Sequence, residues 1–191
     1  LSAPFLIGDD AELDRVLQRF KPELADRLLA RGYVLANLSK AGWAYFFGRA
    51  PIVAPADLQR LRLGVPSGDA DFVDTWRRIG FNAFSFALGE LLAGLQAGLI
   101  DAFYSPPAAA AALQWFGPAP HMTGLAIAPV LGCVVLSVQA VERIPAELRP
   151  ALFAGFLEME RTLNRDMAVL EREALVAMRS RGLLVHPVPE R

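Results

Sequence analysis

One cysteine, two histidines and nearly balanced charge leave this sequence short of most residue types that announce a chemistry. Cys133 has no partner for a disulfide and no second thiol for a zinc site, and in its apolar run it reads as an inert buried thiol. The 19 Lys and Arg against 20 Asp and Glu provide neither a basic field for nucleic acid nor a polybasic membrane patch. His121 and His186 each stand beside a proline, with no second His, Cys or carboxylate at ligand spacing. They read as turn or surface histidines, and no metal site is expected. A Walker-type phosphate loop, a GxGxxG fingerprint and a GxSxG elbow are all missing. No cofactor, no catalytic residue and no enzyme activity are therefore expected.

What is present is apolar: 54% of the 191 residues are hydrophobic, which excludes disorder. From Ala102 to Val141 there is no Asp, Glu, Lys or Arg, and Met122 to Val138 approaches the length of a membrane span. Gly124, Pro129 and Gly132 cut that segment into strand-sized pieces, so a pair of buried strands is the favoured reading and a membrane helix its competitor. Leu1 is preceded by no Met and followed by no charged and apolar leader, so a signal peptide is not in this sequence: it was removed, or the sequence is a fragment.

Periodicity supplies the elements. Leu13, Val16, Leu17 and Phe20 share a helix face with Asp9 or Asp10 as cap, and Pro22 is compatible with a second helix starting there. Asp69 and Asp71 read as another helix start. "YVLANL" and "GWAYFFG" read as two strands, "LRLGVP" and "FNAFSFAL" as two more. Leu88, Leu91, Leu92 and Leu95 form a helix stripe stopped by Gly98. "LIDAFYS" is then a strand, a long helix runs from about Ala146 to Arg181, and "GLLVHPV" closes the chain as a strand. Alternating helices and short apolar strands argue an α/β fold.

Three segments in order carry a resemblance. Asp57, Leu58, Leu61, Val65 and Pro66 come first; Gly80, Glu90, Leu95, Gln96, Gly98, Asp101 and Pro106 follow; a proline-flanked long helix and a Gly-anchored strand end the series. In these the chain resembles the DctP family, the periplasmic substrate-binding subunits of TRAP transporters. The resemblance implies a two-lobed, type II-like periplasmic binding protein fold. It also implies a family N-terminal α/β portion without counterpart here, so that the N-terminal part is expected to be missing. Residues 1–41 and 128–168 would form the remainder of lobe I with the long helix, and 42–127 and 169–191 lobe II.

The same resemblance places a ligand cleft beside Trp43, Ala44, Gly64, Ser67, Phe86, Leu88, Phe103 and Ser105. Where the family clamps a substrate carboxylate with two arginines and an asparagine, this chain has Gly64, Ala44 and Ser105. Arg62, two residues from Gly64, is the possible substitute cation. Asp101 is implied to be a structural hinge-region residue on a strand passing between lobes, the alternative being an ordinary strand-end residue bonded to backbone amides. The expectation is a periplasmic solute-binding protein delivering a hydrophobic or lipid-like small molecule to membrane transporter subunits, its cleft enlarged where charged residues are lost. A carboxylate receptor with a relocated arginine is one alternative, and a sensor or interaction domain that has kept the fold is the other.

Overall fold

The computed structural model describes residues 4–67 and 70–188; Asp69 lies outside them. The elements are α1 (Asp10–Leu29), β1 (Tyr33–Gly48), α2 (Pro55–Gln59), β2 (Leu63–Pro66), α3 (Ala70–Arg78), β3 (Ala83–Phe86), α4 (Leu91–Gln96), β4 (Ala102–Ser105), α5 (Pro107–Ala112), β5 (His121–Thr123), β6 (Ala128–Ser137), α6 (Val138–Glu142), α7 (Arg149–Arg179) and β7 (Leu184–His186). The fold is α/β, with a mixed sheet ordered β3-β2-β4-β1-β5-β7 and β6 also paired to β1. Strands β3, β2 and β4 run parallel, β1 is antiparallel to both β4 and β5, and β7 is parallel to β5.

Two expected breaks do not occur. Asp9 caps α1 by accepting the Glu12 N–H at 2.7 Å, but the helix then runs straight through Pro22. Lys21, beside that proline, is held by Glu160 of α7, and the apolar stripe continues on both sides, which offsets the one backbone hydrogen bond that proline removes. "YVLANL" and "GWAYFFG" are likewise one strand. Gly42 sits within it at φ +96°, a left-handed conformation that only glycine adopts without strain, so the strand bends there instead of ending.

The chain forms two compact units, Leu1–Gly42 with Ala128–Leu170, and Trp43–Ile127 with Glu171–Arg191. In the first, α7 supplies side chains to the edge of β1: Glu160 accepts the Leu38 N–H at 3.0 Å and Asn164 accepts the Lys40 N–H at 2.8 Å. Among the described residues, the buried apolar side chains of this unit are those of Ile7, Leu13, Leu38 and Pro129. An apolar groove of about 680 Å³ lies along α1, walled by Leu6, Ile7, Val16, Leu17, Phe20 and Leu24. Strand β6 was expected to be buried and is mostly not, and Cys133 on it is exposed rather than hidden. A long strand on a lightly covered face leaves apolar side chains in contact with water whatever their hydropathy.

The second unit holds two cores, one on each face of its sheet. Leu63, Val65, Ala102, Phe46 and Trp76 belong to one; Phe47, Phe86, Leu91, Leu95, Phe103 and Met178 to the other. Among the described residues, no helix is long and apolar enough to cross a membrane. The uneven burial gives a direct expectation for hydrogen exchange. Amides of Phe46, Phe47 and Phe103 should be the slowest in the protein and those of the β6 segment among the fastest, because local opening needs less free energy where less apolar surface is covered. Equal protection in the two units would contradict this picture.

Candidate functional site

All eight expected ligand residues and Arg62 belong to the second unit. Strand alternation sorts them. Tyr45 pairs with Ser105 and Phe47 with Phe103 across β1 and β4, and Leu63 pairs with Ala102 across β2 and β4. Because side chains alternate between faces, Gly64, Phe86, Phe103 and Ser105 share the face of the Phe47 core. Ala44 is buried and Trp43 half-buried at the start of this part of β1. Ser67 is exposed just beyond β2, where its N–H donates to the Phe86 carbonyl at 2.7 Å. Leu88 begins a short 3-10 turn before α4 and is 54% exposed.

The space at Gly64 is not open. A Cβ built there would lie 2.9 Å from Cε1 of Phe86 and 3.0 Å from Cγ2 of Ile100. The phenyl ring therefore occupies the volume a longer side chain would need, and the position is filled by apolar atoms rather than left as a void. Ser105, 4% exposed, donates its hydroxyl to the Pro106 carbonyl at 3.0 Å. Its hydrogen is committed within the chain.

Arg62 is committed as well. Its Nε donates to Asp101 Oδ2 at 2.6 Å and one terminal nitrogen to Oδ1 at 2.8 Å, a two-pronged pair that the Arg62 backbone N–H joins at 3.2 Å. The Arg49 Nε stands 3.7 Å from the same carboxylate. The Arg62 hydrogen bonds hold the Asp101 carboxyl below the ordinary aspartate range, against the opposing effect of burial. An acidic residue at the head of an uncharged run thus ties the start of β4 to the chain entering β2. Asp57 has a comparable local task, accepting the N–H groups of Val53 and Ala54 at 3.1 and 2.9 Å and fixing the entry to α2.

Two features escaped sequence reasoning. Glu171 on α7 accepts the Ala108 N–H at 3.1 Å near the start of α5, and burial pushes its carboxyl up to about 7. Nothing in the spacing of 63 residues announces this contact. The histidines are not isolated: Nδ1 of His121 and Nε2 of His186 lie 2.9 Å apart. Their strands are parallel neighbours joined through a long excursion of the chain, so proximity in space leaves no trace in sequence spacing. Among the described residues there is no cluster of three or more His, Cys, Asp or Glu able to hold a metal ion.

With this geometry in place, comparison with known proteins gives the class. The chain belongs to family 7 of the bacterial extracellular solute-binding proteins, the DctP family, whose model matches residues 1–191. Among solved structures, the Bordetella pertussis extracytoplasmic solute receptor DctP7, which binds pyroglutamic acid, is 25% identical with a TM-score of 0.90, over 99% of this chain and 62% of that one. A TRAP periplasmic solute-binding protein from Sulfitobacter sp. NAS-14.1 with bound β-D-galacturonate is 20% identical with a TM-score of 0.88, over 98% of this chain and 63% of that one. A Chromohalobacter salexigens counterpart with bound D-glucuronate is 17% identical with a TM-score of 0.89, over 100% of this chain and 64% of that one. The chain thus spans less than two thirds of these structures. No curated protein matches it.

Two substitutions check the site. Gly64→Ala should destabilise the protein by about 1–3 kcal/mol, the range for forcing a methyl into packed surroundings, read from denaturant midpoints. Glu171→Gln tests the raised carboxyl. A carboxyl that binds its proton more tightly when folded favours the fold below the unfolded pKa and loses that contribution as pH rises toward 7. The variant should therefore gain stability relative to the parent at pH 8 and show little difference at pH 4, since the amide oxygen can still accept from Ala108. A gain that is the same at both pH values would refute the assignment.

Proposed function

We propose that the chain acts in a periplasmic TRAP-type solute receptor that binds a hydrophobic or lipid-like small molecule and passes it to membrane transporter subunits. Family membership supports the receptor role, and the Phe86 ring over Gly64 is the observation that carries the ligand class. A carboxylate is held best by a guanidinium offering two parallel charged bonds. At Gly64 the backbone carries no side chain and the adjacent volume holds a phenyl ring, and at Ser105 the hydroxyl serves Pro106; the buried methyl of Ala44, two residues before Phe46, lies by alternation on the other face of the sheet. Trp43, Phe86, Leu88 and Phe103 would offer apolar contact instead, and burial of such surface is worth about 25 cal/mol per Å². Ser67 would contribute at the rim. The role is binding and release, with no reaction catalysed.

The second reading, a carboxylate receptor using Arg62, is favoured by the acids bound in the similar structures. It requires Arg62 to leave Asp101. The remaining reading, a sensor or interaction domain on this fold, predicts no small-molecule binding at all.

Calorimetric titration of the full-length protein with pyroglutamate, uronic acids and a panel of fatty acids and sterols decides among the three. A charged hydrogen bond contributes roughly 1.5–3 kcal/mol, so without its principal cation a small acid should bind more than about a hundredfold more weakly than a clamped one. The expected result is saturable binding only within the lipid panel. Micromolar binding of a small acid, abolished by Arg62→Ala, would establish the second reading in its place.

A further inference from the structure

His121 and His186 sit on the opposite side of the sheet from the proposed ligand face. Met122 and Val185 pack against the Phe47 core, so by alternation their neighbours His121 and His186 point the other way. On parallel strands β5 and β7 the register pairs His121 with Leu184 and Thr123 with His186, which makes the two histidines diagonal neighbours on one face. Their backbones are fixed at both ends of the pairing, Leu184 N–H donating to the Pro120 carbonyl at 2.8 Å and Gly124 N–H to the His186 carbonyl at 2.7 Å. Opposite His121, strand β1 presents Gly48, which adds no side chain. Both imidazoles are half-buried, so each keeps contact with solvent.

We propose that His121 and His186 form a two-histidine site for a divalent transition-metal cation, with His121 Nδ1 and His186 Nε2 as adjacent ligands and water completing the coordination. The nitrogens are 2.9 Å apart. Metal–nitrogen bonds of about 2.0–2.1 Å spanning that separation meet at about 90°, whereas a tetrahedral ion would need the nitrogens about 3.3–3.4 Å apart. The spacing therefore suits square-planar or tetragonal Cu²⁺ and Ni²⁺ better than Zn²⁺. Without metal the same two atoms share a hydrogen bond. Thr123 is not a further ligand: its hydroxyl accepts the Phe46 N–H at 3.1 Å and donates to the Leu125 carbonyl at 3.3 Å.

The test is titration of the untagged, chelator-treated full chain with CuSO₄, NiCl₂ and ZnCl₂, followed by calorimetry and by the visible d–d band of Cu²⁺. One equivalent should bind, in the affinity order Cu²⁺, Ni²⁺, Zn²⁺. His121→Ala and His186→Ala should each weaken Cu²⁺ by more than about tenfold, and the double variant, with neither imidazole left, should bind no Cu²⁺ at this site. Because removing a half-buried imidazole could loosen β7, His186→Gln is the companion variant. It keeps a hydrogen-bonding group for His121, and it should retain the circular dichroism of the parent while losing the metal. Copper binding that survives the double variant, or a parent that binds none, would overturn the proposal and leave the pair as a hydrogen bond only.

Discussion

Consecutive residues of β1 feed two different cores, and the rest of the second unit depends on their staying in register. Phe47, fully buried, stacks on Phe103 at 5.1 Å with the rings nearly parallel, while Phe46 meets Trp76 and Tyr104 edge-on from the other face. A slip of one residue between β1 and β4 would exchange the faces of all these aromatics at once. The same register sets Ser105 opposite Tyr45, and so decides which face of the sheet Ser105 shares with Gly64 and Phe86.

Charge is sparse in the apolar middle of the chain, and what there is holds backbone in place. Asp101 ties two strand starts together through Arg62, Asp57 pins the entry to α2, and Glu160 and Asn164 cap the free edge of β1. Each of these carboxylates or amides accepts from backbone N–H groups that would otherwise compete for water at a strand or helix boundary. Glu171 differs in being buried enough to resist ionisation, which makes its contact with Ala108 sensitive to pH near neutrality.

These roles tie the family's motif to the scaffold. The motif residues that carry the resemblance are largely architectural: Leu58, Val65 and Leu95 are buried, Gly98 turns the chain at φ +68°, and Asp57 and Asp101 bind backbone. Such positions specify a scaffold. The positions expected to meet a ligand are where the chain departs from the family, and small acids bound to proteins sharing at most about a quarter of its residues define a fold more than a binding preference.

From the sequence alone came the α/β class, the family resemblance and most element positions, because hydrophobic period and turn residues are local properties. The cap at Asp9 and the stop at Gly98 were legible for the same reason. Local signals misjudged Pro22 and the continuity of β1, where packing and a glycine bend carried the element onward, and they placed Cys133 inside because hydropathy does not reveal whether a strand is covered. Only the tertiary structure could show that Phe86 fills the space at Gly64, that Arg62 is already paired, that Glu171 reaches Ala108, and that His121 and His186 meet. Each of these joins residues through the sheet or the long helix rather than through neighbouring sequence, and distance along the chain carries no information about such meetings.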